Sequence, residues 1–234
     1  MKNVFALVAL AGAASVAIAA PSLSYQVSTD GGATWGAAAA VTAGSAVQVR
    51  MVVAWEGTTA YGFSATLAKI VYGNVDAGDS LHTSGAANNL RSAPFIFGSG
   101  GNLRTSLSGS TLTVGLAGGG TTIGFLSFAQ ATPASAGSNY NTSPSVVIGS
   151  WSITVGAGRS LGSTLAIGGL LSASQSTGSG NPVGAFAFHA AATSTSTSFR
   201  ESGDINGALI TVIPTPGALA LVGLGGLVAG RRRR

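Results

Sequence analysis

The sequence predicts an all-β fold, a single β-sandwich of about ten strands over residues 20–211, flanked by two short segments of different character. Three observations carry this. Apolar residues recur at every second position in the longest runs, turn-forming stretches rich in Gly, Ser, Asn and Pro separate those runs, and no stretch of the body has the period of an amphipathic helix. No fixed-length repeat is present, so a solenoid is not expected.

Taken in order, Leu23 to Val27 opens the series as a short strand. Ala46 to Trp55 places Val47, Val49, Met51, Val53 and Trp55 on one face, with Gln48 and Arg50 opposite. Tyr61 to Tyr72 begins with Tyr61, Phe63 and Leu67 in phase, then shifts to Ile70 and Tyr72, which predicts a bulge near Lys69. Thr111 to Leu116 alternates Leu112, Val114 and Leu116 with Thr111, Thr113 and Gly115. Val146 to Val155 sets Val147, Trp151, Ile153 and Val155 against Ser150, Ser152 and Thr154. Shorter runs at Phe95 to Gly98, Ile123 to Ala129, Thr164 to Leu171, Ala185 to Ala190 and Ala208 to Ile213 complete the set. The run Thr193 to Ser198 is either a surface strand or a loop.

Charge narrows the function. The chain of 234 residues carries a net +5, but Lys2 and Arg231 to Arg234 supply the excess. The body balances Arg50, Lys69, Arg91, Arg104, Arg159 and Arg200 against Asp30, Glu56, Asp76, Asp79, Glu201 and Asp204. A neutral body has no basic stripe for nucleic acid, so no nucleic-acid partner is expected. Cysteine is absent, which excludes disulfides, thiolate chemistry and Cys-based zinc sites. Stability must then come from a buried core, for which the body is long enough.

At the N-terminus, Lys2 precedes an apolar stretch from Val4 to Val16, and Ala17-Ile18-Ala19 is a small-x-small site. This is the pattern of a secretory signal peptide, residues 1–19, which signal peptidase would remove between Ala19 and Ala20. The other reading of the stretch is a buried alanine-rich helix.

The body's polar motifs read mainly as turns. Ser28-Thr29-Asp30-Gly31-Gly32-Ala33-Thr34-Trp35 fits the pattern Ser-x-Asp-x-Gly-x-Thr-Trp, and its Asp-Gly pair between strand-like residues predicts a hairpin. The motif resembles the Asp-box of sialidase propellers. The resemblance implies a structural hairpin in which Asp30 caps the turn, Gly32 takes a positive φ and Trp35 packs beneath. Sialidases carry several such boxes on a longer chain, and here there is one. Asn74, Asp76 and Asp79 offer oxygen ligands for calcium, but the EF-hand spacing fails, so a polar loop is the simpler expectation. Asp204-Ile205-Asn206-Gly207 is expected to be a turn before the last strand.

Catalytic patterns are equally sparse. His82 and His189 are the only histidines, and His189 is expected to face solvent opposite Phe186 and Phe188. The six acidic residues fall in expected turns or loops, and no pair of them is marked for acid–base work. No serine sits in a strand-to-helix elbow, and Gly118-Gly119-Gly120 lacks the Lys-Ser/Thr of a phosphate loop. The body is therefore expected to be non-catalytic, with no cofactor and no metal. The stretches Val47 to Trp55, Tyr61 to Leu67 and Ile153 to Leu165 resemble cohesin-like and carbohydrate-binding-module sandwiches, a resemblance that implies fold and no ligand. A secreted carbohydrate-binding or glycan-hydrolysing domain stays open as the alternative function.

The tail, residues 212–234, is the most specific part of the chain. Pro214-Thr215-Pro216 is followed by an apolar segment, Gly217 to Gly230, and by Arg231, Arg232, Arg233 and Arg234. Thr215 can cap a helix that starts at Pro216. As a helix the fourteen apolar residues reach about 21 Å, short of an ordinary bilayer span. The positive-inside rule keeps the arginines cytoplasmic and the body outside. The three-part order resembles the PEP-CTERM sorting signal handled by exosortase in bacteria, with Thr215 where that family has Glu. The resemblance implies export, transient anchoring in the inner membrane, cleavage near Pro214 to Pro216, and a final place at the cell surface or in an extracellular polysaccharide matrix. An ordinary single-pass anchor is the other reading.

Overall fold

The computed structural model describes residues 20–56, 60–81, 85–97, 101–117, 122–172 and 185–215. Period-two alternation becomes two facing sheets, with the apolar positions turned between them. The strands are β1 (Ser22–Ser28), β2 (Ala38–Thr42), β3 (Ala46–Ala54), β4 (Gly62–Gly73), β5 (Leu103–Ser108), β6 (Thr111–Ala117), β7 (Ile123–Gly124), β8 (Leu126–Ala129), β9 (Ser145–Thr154), β10 (Thr164–Leu171), β11 (Phe186–His189), β12 (Phe199–Glu201), β13 (Asp204–Asn206) and β14 (Ala208–Ile213). One helical turn, α1 (Pro133–Ala136), starts on a proline, which needs no N–H partner there.

The smaller sheet has the order β13-β1-β3-β9. In it Val47, Val49, Met51 and Val53 of β3 face inward as the alternation predicts, and Trp55 follows them into the core. The larger sheet is organised on β4, the longest strand. Residues Ala65 and Thr66 pair with both β11 and β8, and Ile70 to Tyr72 pair with both β10 and β6. Each edge of β4 therefore carries two strands end to end. Outward from there, β10 pairs with β14, and β14 runs parallel to β2.

Several expectations change in the folded chain. The phase shift in β4 occurs at Ser64, where the register with β11 slips, and not near Lys69. Thr66, Ala68, Ile70 and Tyr72 form the inward row, while Leu67 turns outward. Thr66 and Ala68 hid this row because neither is a conspicuous core residue, and Thr66 is tolerated inside because its hydroxyl donates to the Ala185 carbonyl at 2.8 Å. A second bulge, at Ile148 of β9, moves Val146 and Ile148 inward, so Val147 lies off the core face while Trp151 and Ile153 stay on it.

Phe95 is buried in a turn and not in a strand, and Asp204–Asn206 is a strand parallel to β1 and not a turn. Glu201 and Asp204 therefore lie in strands, although all six acidic residues were expected in loops. The Thr193 to Ser198 run is a loop. Strands β2 and β5 were not anticipated. The first is an alanine triplet followed by Val41 and Thr42, and the second alternates too weakly to announce itself.

The core is dense in aromatic rings at one end. Phe63 lies 6.0 Å from Trp55, 5.7 Å from Phe95, 6.5 Å from Phe186 and 5.9 Å from Phe188, centroid to centroid. Further along, Trp151 donates its indole N–H to the Tyr72 hydroxyl at 2.7 Å across the sandwich, which satisfies two buried polar groups at once. The last strand takes in Val212 and Ile213, two residues past the expected end of the body at 211, and Val212 is a core residue.

Candidate functional site

The chain direction gives the sandwich two distinct ends. At one, Ala46 pairs with Thr154, Ser28 with Gln48, and Thr42 lies beside Ile213. At the other, Ser22 pairs with Ala54, and the Asp204 N–H donates to the Pro21 carbonyl at 3.1 Å. The body is thus entered at one end and left at the opposite one. Pro21 is buried, directly before β1. Pro214 and the exposed Thr215 follow directly on β14, whereas Pro216, Gly217 to Gly230 and Arg231 to Arg234 lie outside the described residues, as do the signal-peptide residues through Ala19. Among the described residues no helix is long and apolar enough to cross a membrane.

The hairpin that follows β1 sits at the exit end. The Ser28 hydroxyl donates to Asp30 Oδ1 at 2.7 Å and accepts from the Gly32 N–H at 2.9 Å. Asp30 also accepts from the Thr34 N–H at 3.0 Å and from its hydroxyl at 2.5 Å. These bonds, from the Thr34 side chain and backbone and then from Ser28, hold the Asp30 carboxyl well below the usual carboxylate range. Gly32 has φ +93°, a backbone angle that favours glycine, and a Cβ there would meet Gln48 Oε1 at 2.8 Å, so the glutamine side chain would have to shift. Trp35 donates its indole N–H to the Gly32 carbonyl at 2.8 Å, which locks the ring in one orientation.

The locked ring lies on the outward face of the smaller sheet. The Arg50 guanidinium stacks over it at 4.4 Å, and Arg50 Nε donates to Gln26 Oε1 at 2.8 Å. Cross-strand pairing sets two polar rows side by side, Ser28–Gln48–Ser152 and Gln26–Arg50–Ser150. Trp35, Gln48, Ser150 and Ser152, with the backbone of Val49 and Trp151 below, enclose a cleft of about 230 Å³. These outward positions were legible as a solvent face. That they meet Trp35 was not, because the meeting depends on how the hairpin folds back.

The loop considered for calcium is otherwise engaged. The Asp79 side chain is buried and paired with Arg159, whose Nε donates to Asp79 Oδ1 at 2.7 Å and whose Nη2 reaches Oδ2. The same guanidinium donates to the carbonyls of Asn74 at 2.6 Å and Thr164 at 3.0 Å. Burial alone would raise the Asp79 carboxyl. Hydrogen bonds from Arg159, Asp76 and Gly156, with the charge of Arg159, outweigh it and hold the group below its ordinary value. Asn74 has φ +57°, in the left-handed region that asparagine tolerates. Among the described residues no three His, Asp or Glu side chains are grouped to hold a metal ion.

His189 contradicts its expected solvent-facing position. It is 1% exposed, and its Nδ1 lies 2.7 Å from the Tyr140 hydroxyl, which donates in turn to the Phe63 carbonyl at 3.2 Å. A neutral ring protonated at Nδ1 completes this relay. The strand is short and covered on both faces, so alternation does not separate inside from outside there. His82 lies outside the described residues.

Burial pushes the His189 imidazole below its usual value. The unfolded chain then binds a proton that the folded chain refuses. This contribution to stability is complete above the ordinary value of 6.5 and declines as pH falls below it, down to the depressed folded value. The expected result is a melting temperature that drops between neutrality and mildly acidic pH, with a shallower drop in His189→Gln. Equal slopes for the two proteins would reject the assignment.

No family model matches the chain, and no curated protein matches it. Similar solved structures are cohesin modules. One is the seventh ScaB type I cohesin from Pseudobacteroides cellulosolvens, at 14% identity and TM-score 0.43, covering 85% of this chain and 96% of that one. Another is the sixth scaffoldin B cohesin from Acetivibrio cellulolyticus, solved with a Cel5 dockerin, at 12% identity and TM-score 0.41, covering 82% and 99%. A third is the Coh-OlpA–Doc918 complex from Clostridium thermocellum, at 9% identity and TM-score 0.42, covering 82% and 99%.

Proposed function

We propose that this chain is an exported, non-catalytic module of the cell surface or extracellular matrix, delivered by its two ends and processed at its tail. The observation that carries the reading is the coincidence of fold and signal boundaries. Among the described residues the first strand starts at Ser22, three residues after the small-x-small site, and the last strand stops at Ile213, next to Pro214. Val212 is a core residue and Ile213 completes the last strand, which favours processing at Pro214, Thr215 and Pro216, beyond the body.

Signal peptidase acting between Ala19 and Ala20 releases the body without removing any strand. Gly217 to Gly230 holds it in the inner membrane, with Arg231 to Arg234 on the cytoplasmic side, until an exosortase-type enzyme cuts near the Pro-Thr-Pro element. In the anchored state the end carrying the Trp35 hairpin faces the membrane, because Pro214 leaves from that end with only three residues before the apolar segment. Three residues span at most about 11 Å.

Mass spectrometry of the surface-extracted protein tests this. The expected mature chain begins at Ala20 and ends between Pro214 and Gly217. An intact Arg234 on the surface form would reject processing and leave the single-pass anchor.

A further inference from the structure

The outward face of the smaller sheet carries chemistry that the fold does not require. Trp35 is held in one orientation by its bond to Gly32, Arg50 stacks over one face of its ring, and the ring's remaining surface gives the cleft a fixed apolar wall at little entropic cost. Beside it, Gln48, Ser150 and Ser152 supply amide and hydroxyl groups at spacings set by the strand register. Arg50 adds the sole charge of the two polar rows. Its Nε is satisfied by Gln26, whereas no described residue accepts from its two Nη groups. A planar cation held by stacking and one hydrogen bond, with a pair of parallel donors left over, matches a carboxylate.

We propose that the cleft between Trp35 and the Gln48–Ser152 row binds a uronic-acid unit of an acidic polysaccharide, with the sugar carboxylate on Arg50. The ring's C–H surface lies against the indole, and its hydroxyls exchange hydrogen bonds with Gln48, Ser150 and Ser152. A cleft of about 230 Å³ has room for one sugar ring and is open to solvent. The site deepens the preceding reading and rests on it for export to where such polymers occur, but binding is measured on the purified chain and does not depend on the sorting route.

The test is affinity electrophoresis of the full chain in detergent, in gels containing polygalacturonate or neutral dextran. Four terminal arginines would themselves attract a polyanion, so every comparison is made with Arg231 to Arg234 replaced by Gln. The expected result is retardation by polygalacturonate and not by dextran, at least about tenfold weaker in Arg50→Gln, the loss of one charge-assisted contact. Ser152→Val, at an exposed position that leaves the hairpin intact, should weaken it further, and Arg50→Lys should recover part of the loss. Unfolding curves for each variant separate lost binding from lost structure. Absent retardation, equal retardation by dextran, or retardation unchanged in the folded Arg50→Gln variant would overturn the proposal.

Discussion

Replacing Arg159 with Met is expected to destabilise the body by about 3–5 kcal/mol. The residue ties together three segments that are distant in sequence: Asp79, the Asn74 carbonyl and the Thr164 carbonyl. Removing the guanidinium leaves the Asp79 carboxylate, with a side chain 0% exposed, without its counter-ion. The double variant Asp79→Leu with Arg159→Met should recover part of the loss, since no unpaired charge is then buried. Urea unfolding measures both. An unchanged midpoint for Arg159→Met would reject the clamp. The same pair sets an acid limit: the folded carboxyl is held below 3.8, so its contribution is present above that pH and is lost as pH falls through the lower folded value.

Phe63→Ala is expected to cost about 3–5 kcal/mol as well, for a different reason. The ring is wholly buried and touches Trp55, Phe95, Phe186 and Phe188, so four neighbours lose contact around one cavity. The bulge at Ser64 next to it bends the strand, and β4 is paired along both edges, so the surroundings have little freedom to collapse into the space. Phe63→Leu should be milder, at about 1–2 kcal/mol, because most of the volume is kept. Thermal unfolding of the two variants checks the order, and comparable losses for both would show that volume is not the controlling quantity.

The fold was legible where strands are long and one face is wet. Met51, Val53 and Trp151 stand where alternation puts them. At the two bulges it was legible only in part: a phase change announced the one in β4 but not its place at Ser64, and the one at Ile148 was missed, because a single inserted residue reverses the faces and leaves no mark in composition. Nor was it legible in β11, covered on both sides, where His189 looked as if it faced water. The alanine run of β2 becomes a strand only because β14 lies alongside it.

Local chemistry by itself determined the hairpin from Ser28 to Trp35, since every bond in it joins residues within four positions of one another. It also determined the neutral body and the three-part order of the tail, a Pro-Thr-Pro element, an apolar segment and four arginines. Tertiary structure alone decided what that hairpin meets: Arg50, Gln48 and the serines of β9 arrive from strands far along the chain. It alone decided that Asp79 faces Arg159 and that the chain enters and leaves at opposite ends. The physical reason is the range of the interactions. Turns and sorting signals are written within a few consecutive residues, whereas a face, a clamp or a cleft exists only once separate strands have been paired in register.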